Sequence, residues 1–270
     1  MSNYTRGWDQ LPSVKNDLQD LKTGLAPYFE TVDTILNPTV AELRNQMHDF
    51  LMGHWNKSDE RLFVYYSGHG FTDFNQSSRQ NDGYITGSDT PLYKPDDGKA
   101  IANAMSLYDV DSWNRQTKAK HVLMVFDSCF TGSLFQTIMT EPGQNDLDSA
   151  RRPLRNPVRY TKAAVELRQN DLDDVRRLLG KPMRYYITAC RQNEEVSADG
   201  TFAHLLLRGL RGEADVYHQG IISAEELGSY LFHEVPKFSR RSQTPQYKSI
   251  GNANLSEGQF FFLTGAAATR

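Results

Sequence analysis

The sequence predicts an α/β fold with a central, mostly parallel sheet covered by helices on both faces. Three apolar runs, Leu62–Tyr66, Val122–Phe126 and Arg184–Ala189, read as strands with no solvated side. The stretches between them carry helical spacing, so the strands cannot be joined as tight hairpins and are expected to run parallel through crossovers.

In chain order, Ser13–Phe29 is predicted helical, with Val14, Leu18, Leu21 and Leu25 on one stripe. Val32–Leu36 is a short strand candidate. Thr39-Val40-Ala41-Glu42 forms a capping box, followed at helical spacing by Leu43, Met47, Phe50 and Leu51. The strand at Leu62–Tyr66 ends in Ser67-Gly68-His69-Gly70, and a polar loop runs on to about Lys99, with Gly83–Thr86 as a short strand inside it. Ala100–Trp113 reads as a helix leading into the strand Val122–Phe126. From Glu141 to Lys181 the pattern changes: turn residues come first, then Arg151, Arg152, Arg155 and Arg159 around Pro153 and Pro157. A charged helix at about Lys162–Leu179 is closed by Gly180 and Pro182. After the strand at Arg184–Ala189 come a helix at about Thr201–Arg211, a capping box at Ser223–Glu226 opening another, and a strand at Gln259–Leu263. No internal repeat is present.

Composition narrows the function classes. The chain has 270 residues, 39% hydrophobic and 23% charged, as expected of a soluble globular protein. A net charge of −3 gives no electrostatic basis for nucleic acid or an anionic membrane as main partner. No apolar run approaches the roughly 20 residues that span a bilayer. The opening MSNYTRGWDQ lacks the basic-then-apolar pattern of a secretory leader. Two cysteines allow one disulfide at most, and the expectation is a reduced, cytoplasmic chain.

The chemistry collects at two strand ends. "LFVYYSGHG" ends in Ser67 and His69, and "VLMVFDSCFTG" ends in Asp127 and Cys129. Residues two apart on a strand face the same way, so parallel neighbours would bring His69 and Cys129 out on one side, with Ser67 and Asp127 beside them. Cysteine attacks as thiolate, and a histidine can take its proton and protonate a leaving amine. A single buried cysteine is more often a core residue, and a histidine at a strand end more often satisfies one hydrogen bond. The matched endings shift the balance toward a nucleophile and its base. Asp127 is a poor activator of Cys129, since a nearby negative charge disfavours thiolate. Asp17 lies on the apolar stripe of the first helix, where a carboxylate is costly unless paired; the alternative is a solvated helix edge.

Tyr66-Ser67-Gly68-His69-Gly70 and Asp127-Ser128-Cys129-Phe130-Thr131-Gly132 resemble the two signature motifs of metacaspases and bacterial caspase-like proteases. Cys129 lies 60 positions after His69, comparable to the roughly 50 of caspases. Thr188-Ala189-Cys190 with Ser197-Ala198-Asp199 is similar to a third metacaspase stretch. Asp199-Gly200-Thr201-Phe202, "RGLRGEAD", Thr244-Pro245-Gln246 and "GQFFFL" resemble the small-subunit half of bacterial members.

The resemblance implies a single caspase-like domain over 1–270, with a large half at about 1–140, an arginine-rich linker and helix at 141–182, and a small half at 183–270. It implies a cysteine endopeptidase with Cys129 as nucleophile, His69 as acid and base, and an oxyanion held by the N–H groups of Gly70 and Cys129. "VKND", Val14–Asp17, resembles the segment whose aspartate lines the primary specificity pocket, and Ser67 and Asp127 match its other positions. Two carboxylates and a hydroxyl suit a guanidinium or ammonium, so the expected partner is a protein or peptide substrate with Arg or Lys before the scissile bond. Arg151, Arg152 and Arg155 become candidate self-cleavage sites; the alternative is a solvated basic linker.

The chemistry needs no cofactor. Calcium is a candidate activator, with Asp82, Asp89, Asp96 and Asp97 in the relevant region but no ligand matched. A regulatory protein is a further candidate partner. The loop Asp215–Glu226 has the length of an EF-hand but the wrong residues at its third and fifth positions, and reads as a structural turn. Cys190 reads as a packed thiol, and His204 as a core histidine.

The family's first buried strand has no counterpart ahead of Ser2-Asn3-Tyr4. The expectation is that the chain is a fragment or late-start form, or that another segment fills the gap. The rival to the enzyme is an inactive caspase-like scaffold that binds a basic peptide or partner protein.

Overall fold

The computed structural model describes residues 1–53, 57–77, 79–95, 97–128, 169–191, 194, 199–239 and 242–264. Cys129, Gly132, Arg151, Arg152, Arg155, Arg159, Asp96, Ser197 and Ala198 lie outside the described residues.

Strands β1 (Arg61–Ser67), β2 (Gly70–Asn75), β3 (Gln80–Thr86), β4 (Ala104–Ser106), β5 (His121–Asp127), β6 (Met183–Thr188), β7 (Ile221–Ser223), β8 (Gln246–Ser249) and β9 (Phe261–Leu263) form three sheets. The helices are α1 (Val14–Leu25), α2 (Val40–Met52), α3 (Lys99–Ala102), α4 (Leu107–Gln116), α5 (Gln169–Leu179), α6 (Thr201–Arg208) and α7 (Ala224–Phe238). The central sheet has the order β1-β5-β6-β8, with β1, β5 and β6 parallel and β8 antiparallel to β6. β2-β3-β4 is an antiparallel meander, and β7 pairs antiparallel with β9.

The three apolar runs form the three parallel strands; β5 and β6 are buried at every position, while β1 alternates buried with half-buried residues. Along β5, Leu123 and Val125 join a core with Tyr185 and Ile187 of β6, Leu21 and Leu25 of α1, Leu205 and Leu206 of α6, and Leu227 and Leu231 of α7. The alternate residues Val122, Met124 and Phe126 join Leu43, Met47 and Leu51 of α2 and Leu107 and Val110 of α4. The period-two alternation of one strand therefore feeds two cores. Each fully buried aliphatic side chain contributes about 1.5–3 kcal/mol of transfer free energy. Both capping boxes form, Thr39 with Glu42 and Ser223 with Glu226.

Several elements differ from expectation. No strand forms at Val32–Leu36, and α1 is shorter than Ser13–Phe29. The polar loop after Gly70 is largely the hairpin β2–β3, and the expected helix at Ala100–Trp113 is interrupted by β4, which pairs with β3. The helix expected to reach Arg211 gives way to a π turn at Gly209–Glu213. His204 is solvent-exposed, because α6 buries Phe202, Ala203, Leu205, Leu206 and Leu207 and turns His204 outward. β1 is an outer strand of the central sheet, with no strand among the described residues on its far side. No helix among the described residues is long and apolar enough to cross a membrane.

Candidate active site

β1 and β5 are parallel neighbours in the register that aligns Ser67 with Asp127, so both strands deliver their polar ends to one place. Just beyond Ser67, Gly68 packs so tightly that a Cβ would lie 2.6 Å from the Tyr66 hydroxyl and 2.8 Å from that of Tyr4. Only glycine fits there.

Those hydroxyls hold the backbone of His69. Its N–H donates to Tyr4 Oη at 2.8 Å. Its carbonyl accepts from Tyr66 Oη at 2.9 Å and Thr86 Oγ1 at 3.0 Å. The imidazole is framed by Trp8, stacked at 5.0 Å between centroids, and by Tyr4 at 4.8 Å. Its Nε2 lies 2.9 Å from the Asp9 carbonyl. A carbonyl only accepts, so Nε2 carries the proton and Nδ1 keeps a lone pair. Burial lowers the His69 pKa below its usual value, against a smaller upward pull from Asp9. The ring is therefore neutral at neutral pH, with Nδ1 ready to accept a proton.

Asp127 closes β5 almost completely buried, at 7% exposure. Its Oδ2 accepts a 2.7 Å hydrogen bond from Tyr65 Oη, and its Oδ1 is buried without a hydrogen-bond partner among the described residues. Burial raises its pKa to about 7; Asp17 and Asp199 add to the rise, and the Tyr65 hydrogen bond opposes it. Asp17 is half-buried on α1, its pKa raised by burial and by Asp20 and Asp199. It packs on Gly200, where a Cβ would stand 2.4 Å from Asp17 Oδ1 and where φ is +78°, a second reason for glycine. Asp17, Ser67 and Asp127, far apart in sequence, thus converge with Tyr65 and Asp199. Gly70 follows His69 and opens β2, buried.

Four contributors escaped sequence reasoning. The Asp9 carbonyl and Trp8 carry no residue-type signal for their roles. Tyr65 reads as an ordinary strand aromatic, although its place two residues before Ser67 puts it on the same strand face. Asp199 sits inside a recognised motif without an assigned task.

Elsewhere, Cys190 is fully buried and its thiol donates to the Ser128 carbonyl at 3.4 Å. Asp215 accepts from the N–H groups of Gln219 and Gly220, and Glu226 caps α7, so the EF-hand-length loop is a turn. The carboxylates considered for calcium are separately engaged: Asp82 accepts from Asn75, Asp89 from the Val40 N–H, and Asp97 from the Lys99 N–H. Among the described residues no three metal-ligating side chains gather.

An imidazole with a fixed tautomer at one strand end, beside a buried carboxylate at the next, on a parallel sheet of this order, fits a cysteine-type peptidase. The family model of the caspase domain matches residues 1–253, and the chain belongs to that family. It is accordingly a cysteine-type peptidase, a hydrolase of protein substrates whose chemistry needs no cofactor. No curated protein matches the sequence.

Proposed function

We propose that the chain is a cysteine endopeptidase that cleaves after Arg or Lys, with Cys129 as nucleophile and His69 as its acid and base. What supports the specificity is the buried, half-satisfied carboxyl of Asp127, with Asp17 and Asp199 acting on it and Ser67 at its side. Oxygen acceptors of this density in a buried place suit a cationic side chain.

In the proposed reaction the Cys129 thiol gives its proton to His69 Nδ1 while Nε2–H stays on the Asp9 carbonyl. The sulfur attacks the peptide carbon, and the oxyanion is held by the N–H groups of Gly70 and Cys129, donors worth about 3 kcal/mol of barrier each. His69 then protonates the leaving amine, and water, deprotonated by His69, releases the acyl group. The basic residues Arg151, Arg152 and Arg155 are the proposed self-cleavage sites.

Short fluorogenic peptides ending in Arg, Lys or Asp test this, assayed with and without calcium because some metacaspases require it. Wild type should turn over the Arg and Lys peptides and leave the Asp peptide intact. Cys129→Ala and His69→Ala should each lose at least about 10³-fold in kcat/KM. Folded wild type that cleaves nothing in either condition defeats the peptidase assignment for this chain in favour of a basic-peptide-binding scaffold. Intact masses that are the same for wild type and Cys129→Ala defeat self-processing.

A further inference from the structure

The Asp127 carboxyl has one oxygen on Tyr65 and one buried oxygen with no hydrogen-bond partner among the described residues. A carboxylate in that state, with two further carboxylates acting on it, is expensive; a neutral acid is not. The groups facing it come from every neighbouring element. β1 supplies Tyr65 and Ser67, and α1 supplies Asp17, with Asp20 acting on Asp17 in turn. The turn before α6 supplies Asp199, held by its hydrogen bond from the Thr201 N–H at 3.0 Å. The end of β6 supplies the Cys190 thiol, on the Ser128 carbonyl. The N-terminal segment supplies the α-amino group of Met1, and His69 lies just beyond β1. Burial lowers that amine to about 5, and the positive charge it carries pulls the Asp127 pKa down, against the rise from burial.

We propose that Asp127 holds a proton while the specificity pocket is empty and releases it to solvent when a basic side chain enters, with Tyr65 as its positioning residue and Asp199 as a third acidic neighbour beside Asp17. The inference rests on the reading of this pocket as the site for Arg or Lys. In the exchange the Asp127 O–H bond breaks, the proton passes to the buffer, and the freed carboxylate oxygen accepts an N–H from the incoming guanidinium or ammonium. One positive charge leaves as another arrives, so below pH 7 the exchange leaves no uncompensated anion in the buried site. A neutral side chain of the same length cannot drive the exchange. The linked proton thus becomes part of the discrimination. The pKa of about 7 for the empty pocket places the exchange in the physiological range.

Calorimetry on full-length Cys129→Ala tests this, using a short peptide ending in arginine amide in buffers of different ionisation enthalpy. At pH 6 binding should release about 0.9 proton and at pH 9 almost none, with affinity rising roughly tenfold between the two. Tyr65→Phe should move the midpoint of release to higher pH and Asp199→Asn to lower pH, since one removes a bond to the anion and the other a like charge. Adding His69→Ala should leave the release in place, whereas Asp127→Asn should abolish it. Binding at pH 6 with no proton released overturns the proposal and leaves the pocket reading standing. Absence of binding at pH 9 overturns the pocket reading itself. Should Asp127→Asn fail to fold, the carboxyl ¹³C shift of Asp127 in Cys129→Ala decides: a midpoint below pH 5 overturns the proposal, and one near 7 upholds it.

Discussion

His69 shows how much of a site a sequence motif leaves unspecified. "YSGHG" placed the histidine at a strand end, but the orientation of its ring depends on residues some 60 positions earlier, at Tyr4, Trp8 and Asp9. None of these is legible locally, because a phenol that meets a backbone N–H and a carbonyl that meets an imidazole are tertiary facts. Tyr4 acts through the histidine, whose backbone N–H donates to its hydroxyl, and is thus a positioning residue. Tyr4→Phe removes the hydroxyl that accepts from His69 N–H and leaves the tilted ring contact in place, so kcat should fall about 5- to 20-fold, a loss of about 1–2 kcal/mol, with KM little changed. Trp8→Ala opens the imidazole to water. Since burial is the main cause of the lowered His69 pKa, the acid limb of kcat/KM should then move up toward 6.5. An unmoved limb in a folded Trp8→Ala variant would separate Trp8 from the tuning of His69.

At the scale of elements, the central strands were the legible part. β1, β5 and β6 lie close to the three apolar runs, with β5 and β6 buried throughout and β1, an outer strand, half-buried at alternate residues. The short, half-polar pieces were not legible: "QYKS" of β8 and "IIS" of β7 form strands because a neighbour supplies the ladder. Ala104–Ser106 was read as helix for the same reason, its pairing with β3 overriding local propensity. Arg184 is a charged residue in the second position of β6. It is 2% exposed, and its guanidinium donates to the carbonyls of Asn114 at 2.7 Å, Thr117 at 2.9 Å, Lys120 at 3.0 Å and Met183 at 3.1 Å. It pins the C-terminal end of α4, whose last carbonyls lack helical partners, to the central sheet. Arg184→Lys keeps the charge but loses the planar fork, and should cost about 2–4 kcal/mol in urea unfolding. A loss under about 0.5 kcal/mol, as for an ordinary surface change, would refute the pin.

For the whole molecule, two buried groups set opposing pH dependences of stability. His121 begins β5 with Nε2–H on the Lys181 carbonyl at 3.0 Å and Nδ1 buried without a partner among the described residues. Burial, then the neighbouring Arg61, lowers its pKa to about 4. Between pH 4 and 6.5 the unfolded chain binds a proton there that the folded chain refuses, so this contribution rises with pH and is lost as pH falls. Asp127 is the reverse: raised to about 7, it stays protonated in the folded state where the unfolded chain has ionised. Its contribution is greatest near pH 4 and is lost as pH climbs to 7. Over the shared window each slope approaches about 1.4 kcal/mol per pH unit, with opposite sign, and the two nearly cancel. Wild type should therefore show a flat profile from these groups from about pH 4 to 6.5. Asp127→Asn removes one slope and leaves the other. Relative to wild type, the variant should gain about 2–3 kcal/mol between pH 5 and pH 8, read from urea unfolding at each pH. A variant whose difference from wild type is the same at both values would mean that Asp127 is already ionised in the empty protein. That result would also remove the proton on which the exchange in the specificity pocket depends.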